Sequence, residues 1–245
     1  VCFFLLVALN YVVDWSRTGS LKSFFLVILN FMIGMVFHGG VIVGLIVFLV
    51  IFSLKHIKEL FKKIFNGFIL YKPFIGFALI ATFIVYSGIS NIYIPKIGTI
   101  TDFDKLKKNI LYKNIVTHRG DAKYPDWVIA KSLNELIYKM PIKGVYFIFS
   151  PFPWDVKKSS HLMGMFDGFL HLFLTYLIFR NRKAIWADPA LRIIFLMLLV
   201  YIAVYGVAIG NFGTGIRHRA KFIIMFILLA APLLPKFIFY KKMKK

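Results

Sequence analysis

Residues 191–209 read LRIIFLMLLVYIAVYGVAI. The one charged side chain in this stretch, Arg192, stands at its second position. Wound as an α-helix at about 1.5 Å per residue, the stretch nearly matches the roughly 30 Å hydrocarbon core of a bilayer. Its apolar residues run on without the alternation that a barrel strand needs. It reads as a membrane-spanning helix.

Working outward, the same pattern recurs at 161–179 (HLMGMFDGFLHLFLTYLIF) and 221–239 (KFIIMFILLAAPLLPKFIF). Upstream, 21–54 is one long apolar run interrupted by His38-Gly39-Gly40. Paired glycines ease the backbone of a turn, so two helices are expected, 21–37 and 41–54. A further span is expected at 74–93, entered from Pro73, which suits a first helical turn. The opening run 1–13 is too short to cross. It begins at Val1 with no charged leader and no cleavage site after it, so it is not expected to be a signal peptide. It reads as the end of a cut span, and the chain as a C-terminal fragment of a longer one.

Composition agrees with a membrane solvent. Hydrophobic residues make up 60% of the 245, Phe alone occurs 28 times, and the mean hydropathy is +0.77. A soluble domain of this size has nowhere to bury so much apolar surface, whereas lipid accepts it provided the backbone is closed on itself as helices. The net charge of +21 suggests nucleic acid at first sight. Its arrangement in blocks between apolar runs points instead to anionic lipid headgroups. The single Cys2 lies in an apolar run, so no disulfide framework and no cysteine metal site are expected. The expected fold is all-α, a polytopic transmembrane bundle with one long extracytoplasmic loop.

Orientation follows from the short basic segments. Five lysines lie in 55–72 and five in the tail 236–245, and 180–192 carries Arg180, Arg182, Lys183 and Arg192. Placing all three in the cytoplasm lets the spans alternate without conflict. The loop region 94–160 and the short loop 210–220 then face outward. In the loop region, 127–140 (WVIAKSLNELIYKM) sets Leu133, Leu136, Ile137 and Met140 on one stripe, the pattern of an amphipathic helix lying on the membrane or on the bundle. The segment 145–154 (VYFIFSPFPW) is too short to span and is broken by Pro151 and Pro153, so it is expected to dip into the bilayer or pack over the bundle.

Four clusters carry candidate chemistry. In 211–221 (NFGTGIRHRAK), Arg217, His218, Arg219 and Lys221 open a helix, an arrangement suited to an anion; headgroup anchoring is the competing reading. In 117–127 (THRGDAKYPDW), His118, Arg119, Asp121 and Asp126 suit an acceptor site or a carboxylate base, against a solvated turn. Trp154 beside Asp155 in SPFPWD has the make-up of a carbohydrate site, aromatic face plus carboxylate, or of an interfacial anchor. Asp167 and His171 lie one turn apart inside a span, either as a functional pair or as a structural one. No P-loop, dinucleotide fingerprint, HExxH or GxSxG occurs.

At SPFPWD (150–155) and GNFGTGIRHRAKF (210–222), with a weaker echo in the His38-Gly39-Gly40 turn, the chain resembles bacterial O-antigen or repeat-unit polymerases and related GT-C-like polyprenyl-linked membrane glycosyltransferases. The resemblance covers 117 to the C-terminus. It implies a bacterial inner-membrane protein of surface polysaccharide biosynthesis, such as lipopolysaccharide or capsule, that transfers glycan from undecaprenyl diphosphate at the periplasmic face. The implied partners are membrane lipids, the polyprenyl-diphosphate-linked oligosaccharide and other polysaccharide assembly proteins, with no nucleic acid, cofactor or metal. Arg217 and Arg219 would clamp the diphosphate, joined by Lys221 and Arg119, and Trp154 would hold sugar. His218, Asp121, Asp126 and Asp155 compete for the role of base. The mannosyltransferase-like branch keeps its acid in a first external loop, which would lie upstream of Val1. A lipid-linked sugar flippase and a non-catalytic subunit of the same pathway are the alternatives.

Overall fold

A computed structural model describes residues 1–64, 75–76, 78–79, 81–82, 111–112 and 115–233. The expected span 74–93, most of 94–114 and the tail 236–245 therefore lie largely or wholly outside the described residues. Among those described, the chain is all-helical, with no strand.

Helices α1 (Cys2–Thr18) and α2 (Leu21–Phe37) form a hairpin. Helix α1 stops where Gly19 turns left-handed (φ 67°) and returns its N–H to the Trp15 carbonyl at 2.8 Å. Trp15, Phe24, Phe48 and Phe52 pack edge and face against one another and tie this hairpin to α3 (Ile42–Ile64). Between α2 and α3, His38 is extended and Gly39–Val41 makes a single 3₁₀ turn. Glycine is required at position 40, since a Cβ there would overlap the Tyr205 hydroxyl.

Helix α4 (Leu133–Phe149) begins at Ser132, whose hydroxyl accepts the Glu135 N–H at 3.2 Å. This departs from the expected helix at 127–140. The stretch Asp126–Val128 is a separate 3₁₀ turn, and α4 runs straight through Pro141 into what was expected to be a broken segment. A proline inside a helix removes one hydrogen bond; here the next turn is held by packing. Gly144 meets Gly206 of the helix Pro189–Ala208 backbone to backbone, with only about 3.0 Å left for a Cβ at position 206. The expected apolar stripe is split as well. Leu136 is buried, while Ile137 and Met140 remain exposed.

Helix α5 (Ser159–Arg180) leads through the short α6 (Arg182–Ala187) to α7 (Pro189–Ala208), the central helix, which packs on α1, α3, α4 and α6. Its start is well specified: Pro189 occupies the first turn, and the Asp188 carboxylate accepts the N–H groups of Ala190 and Leu191 at 2.7 and 3.2 Å. Asn211 caps α8 (Phe212–Arg219) in the same way. Helix α9 (Ile223–Ala230) then packs on α5 and α7.

Among the described residues, three segments are long and apolar enough to cross a membrane: Gly39–Ile57, Ser159–Arg180 and Pro189–Ala208. Helix α2 and Ile223–Leu233 are shorter apolar helices. Large apolar side chains line the outer faces of α2 (Phe25, Leu29, Met32, Val36) and α5 (Phe166, Phe169, Phe173, Phe179), as suits an apolar solvent. The two ends of the bundle differ. Ser16, Lys55, Pro189 and Arg192 line one crevice at the start of α7, where the Lys55 ammonium lies 4.6 Å from the Trp15 ring. The end of α7, the turn at 38–41 and α8 meet at the other end.

Candidate functional site

Two tyrosines one turn apart on α7 reach across to the glycine turn. The Tyr201 hydroxyl donates to the Val41 carbonyl at 2.9 Å and accepts the Gly44 N–H at 3.0 Å. The Tyr205 hydroxyl lies 3.1 Å from His38 Nε2. The His38 ring stacks on His218 with centroids 5.3 Å apart and planes 19° from parallel, and His218 also faces the Tyr205 ring at 5.0 Å. Lys221 Nζ is 3.5 Å from His218 Nδ1. The weak echo at 38–40 and the basic loop at 217–221, 180 residues apart, thus belong to one cluster.

A second meeting was invisible in the sequence. The turn at 117–124 is zipped to the loop before α8. Gly210 N–H donates to the Thr117 hydroxyl at 2.9 Å, Tyr124 N–H to the Gly210 carbonyl at 3.0 Å and Phe212 N–H to the Ala122 carbonyl at 2.9 Å. The Asn211 amide also donates to the Arg119 carbonyl at 2.8 Å. Gly120, at φ 74°, gives this turn its reversal.

The charged residues divide sharply. Arg217 is exposed, its nearest polar partner being the Thr214 hydroxyl at 3.4 Å, and Arg119 is exposed too. Arg219 is 1% exposed. Its Nε donates to Asp167 Oδ2 at 2.6 Å; Nη1 donates to the carbonyls of Ile148 and Ser150 at 2.7 and 2.5 Å, and Nη2 to Gly164 at 3.1 Å. This guanidinium satisfies the carbonyls at the end of α4 and pins α5 and α8 to them, where a diphosphate clamp at the surface was expected. The expected pair of Asp167 and His171 is in fact a triad with Arg219: His171 Nδ1 is 3.6 Å from Asp167 Oδ1 and 2.8 Å from the Asp167 carbonyl, and its Nε2 is buried without a hydrogen bond.

The candidate bases also separate. Asp121 is exposed and bound to Lys158 at 2.5 Å, which holds its carboxyl below the usual range and the Lys158 ammonium above its own. Asp126 bonds Lys123 at 3.2 Å, which lowers it likewise, and lies 3.3 Å from His118. Asp155 accepts the Phe152 N–H at 3.1 Å and is pushed up by burial, the backbone bond opposing. Trp154 is exposed and stacks on Phe152 at 4.9 Å and 9°. A buried ammonium was not singled out by the sequence at all. Lys143 on α4 donates to the Ile209 carbonyl at 3.1 Å, and burial pulls it down to about 8. Its place between Pro141 and Gly144, on the polar face of an otherwise apolar turn, was the available signal.

No family model, curated protein or solved structure matches the chain. The chemistry of the site rests on its own atoms. They offer an exposed guanidinium, an ammonium and two stacked imidazoles beside a polar turn, a set of donors suited to phosphate oxygens. Among the described residues no group of three metal-ligating side chains occurs.

Proposed function

We propose that the chain is part of a multi-pass inner-membrane glycosyltransferase that polymerises surface polysaccharide from polyprenyl-diphosphate-linked glycan. In this reading the lysine- and arginine-rich segments 55–72, 180–192 and 236–245 lie in the cytoplasm, and the end bearing His38, Tyr205, Arg217 and His218 faces the periplasm. The observation that carries the reading is the meeting of His38 and Tyr205 with His218 and Lys221 next to the exposed Arg217. Arg217 and Lys221 face the diphosphate, whose charge grows as it leaves. His218 takes the proton of the acceptor hydroxyl as that oxygen attacks the anomeric carbon, and the bond from that carbon to the diphosphate breaks. Arg219 serves the scaffold. Of the expected base candidates, Asp121 and Asp126 are tied to lysines, which favours His218 or Asp155.

The flippase alternative draws less support, since the ionisable Asp167 is occupied by Arg219 and does not stand ready for a passing cargo. The test is Arg217→Ala and His218→Ala in the native cell. Both are expected to abolish long-chain polysaccharide on a gel with membrane protein levels unchanged. Normal chain length in both variants would remove these residues from catalysis.

A further inference from the structure

The membrane-facing side of the bundle holds a second feature, outside the basic cluster. Between α5 and α7 runs an apolar groove made of two contiguous cavities of about 390 and 450 Å³, which share Thr175, Ile178, Phe195 and Leu199 as walls. Each lies within the roughly 300–1,000 Å³ of ligand sites. At one end α4 closes the groove with Val145, Ile148 and Phe149. The other end opens between Arg182 and Trp186. Walls of this kind select a hydrocarbon chain, and the open end selects what the chain carries. Arg182 is exposed, spends one donor on the Phe179 carbonyl at 3.0 Å and lies 4.4 Å from the Phe179 ring, so its remaining N–H groups face outward. Arg180 and Lys183 stand beside it, also exposed. Trp186 is 53% exposed at the same rim, the depth at which indoles settle in a membrane.

We infer that this groove binds an anionic phospholipid, one acyl chain lying between α5 and α7 and the phosphate held by Arg182 at the rim. Charge complementarity chooses the occupant. A basic pocket between membrane helices on this side is suited to an acidic headgroup. A second copy of the chain in a two-fold contact would instead bring the basic rims of two molecules together.

Native mass spectrometry of the detergent-solubilised protein, titrated with phosphatidylglycerol or with phosphatidylcholine of the same chain length, tests this. The wild type is expected to retain one phosphatidylglycerol and to hold it more tightly than phosphatidylcholine. Arg182→Ala is expected to weaken it about fivefold, the worth of one basic residue at a lipid surface. Thr175→Trp, which fills the shared wall, is expected to abolish retention, whereas Leu172→Trp, on the exposed face of the same helix, leaves it intact. Equal retention of the two lipids, or unchanged retention in Thr175→Trp, overturns the site. So does the absence of any adduct together with loss of thermal stability in Thr175→Trp alone, which would show the groove filled by the chain's own helices. None of these readouts depends on polysaccharide synthesis.

Discussion

Arg217 and Arg219 stand two residues apart on one short helix, yet they belong to different parts of the molecule. Arg217 is exposed, with a single long contact to Thr214. Arg219 is sealed between α4, α5 and α8 with its donors committed to Asp167 and four backbone carbonyls. On a helix, positions two apart point in widely different directions. In a stretch where both are basic, that difference separates a group that can meet a ligand from one that builds the wall behind it. Charge density in the sequence marks the helix without dividing the labour.

The sharpest way to break the contrast is to remove the buried member. Arg219→Ala strands the Asp167 carboxylate and the carbonyls of Ile148, Ser150 and Gly164, and should cost about 3–5 kcal/mol, read as lost folded protein in detergent unfolding. Arg219→Lys should fail nearly as badly, because an ammonium lacks the planar fork that spans Asp167 and the end of α4. Arg217→Ala in the same assay should change stability by no more than about 0.5 kcal/mol. Equal destabilisation by the two alanines would erase the distinction.

A middle-sized effect is expected where the basic cluster meets the glycine turn. Tyr205→Phe removes one hydrogen bond, to His38, and should cost about 1 kcal/mol. If the cluster is a working site, this variant should also lower polysaccharide yield while Tyr201→Phe, which loosens only the scaffold bonds to Val41 and Gly44, should reduce stability with less effect on yield.

The smallest effect concerns Asp155. Burial raises its carboxyl in the folded protein, so the native state holds its proton to higher pH than the unfolded chain. Its contribution to stability is present at low pH and declines as pH rises from the ordinary carboxylate value through the raised one. Asp155→Asn keeps an acceptor for the Phe152 N–H and should flatten that decline, leaving the variant slightly more stable at neutral pH. A steeper decline in the variant would mean that the carboxylate is stabilised here.

How much was legible follows the same division. Residues 161–179 and 191–209 could be read as helices because their apolar character is continuous and local, and the structure places α5 and α7 within two residues of those limits. The paired glycines at 39–40 likewise mark the turn that separates α2 from α3. Helix α4 was harder. The expected helix ended at 140, whereas the observed one continues through Pro141, its next turn held by the backbone contact of Gly144 with Gly206, 62 positions away. The candidate site was legible as a set of residue types at 117–127 and 211–221. Its assembly was not, since the zipper between those loops and the stacking of His38 on His218 are long-range events with no local periodicity to announce them. The partner of Asp167 could have been suspected from charge alone, as an acid within an apolar helix demands a cation.

The zipper between 117–124 and 210–212 also sets a timetable. A ribosome must have released residues 210–221 before the early turn at 38–41 can meet its histidine partner or the loop at 117–124 can find its backbone mates. Segments made earlier wait for ones made later. A nascent chain interrupted shortly before position 210 would already hold the apolar helices α5 and α7, with that end of the bundle still open.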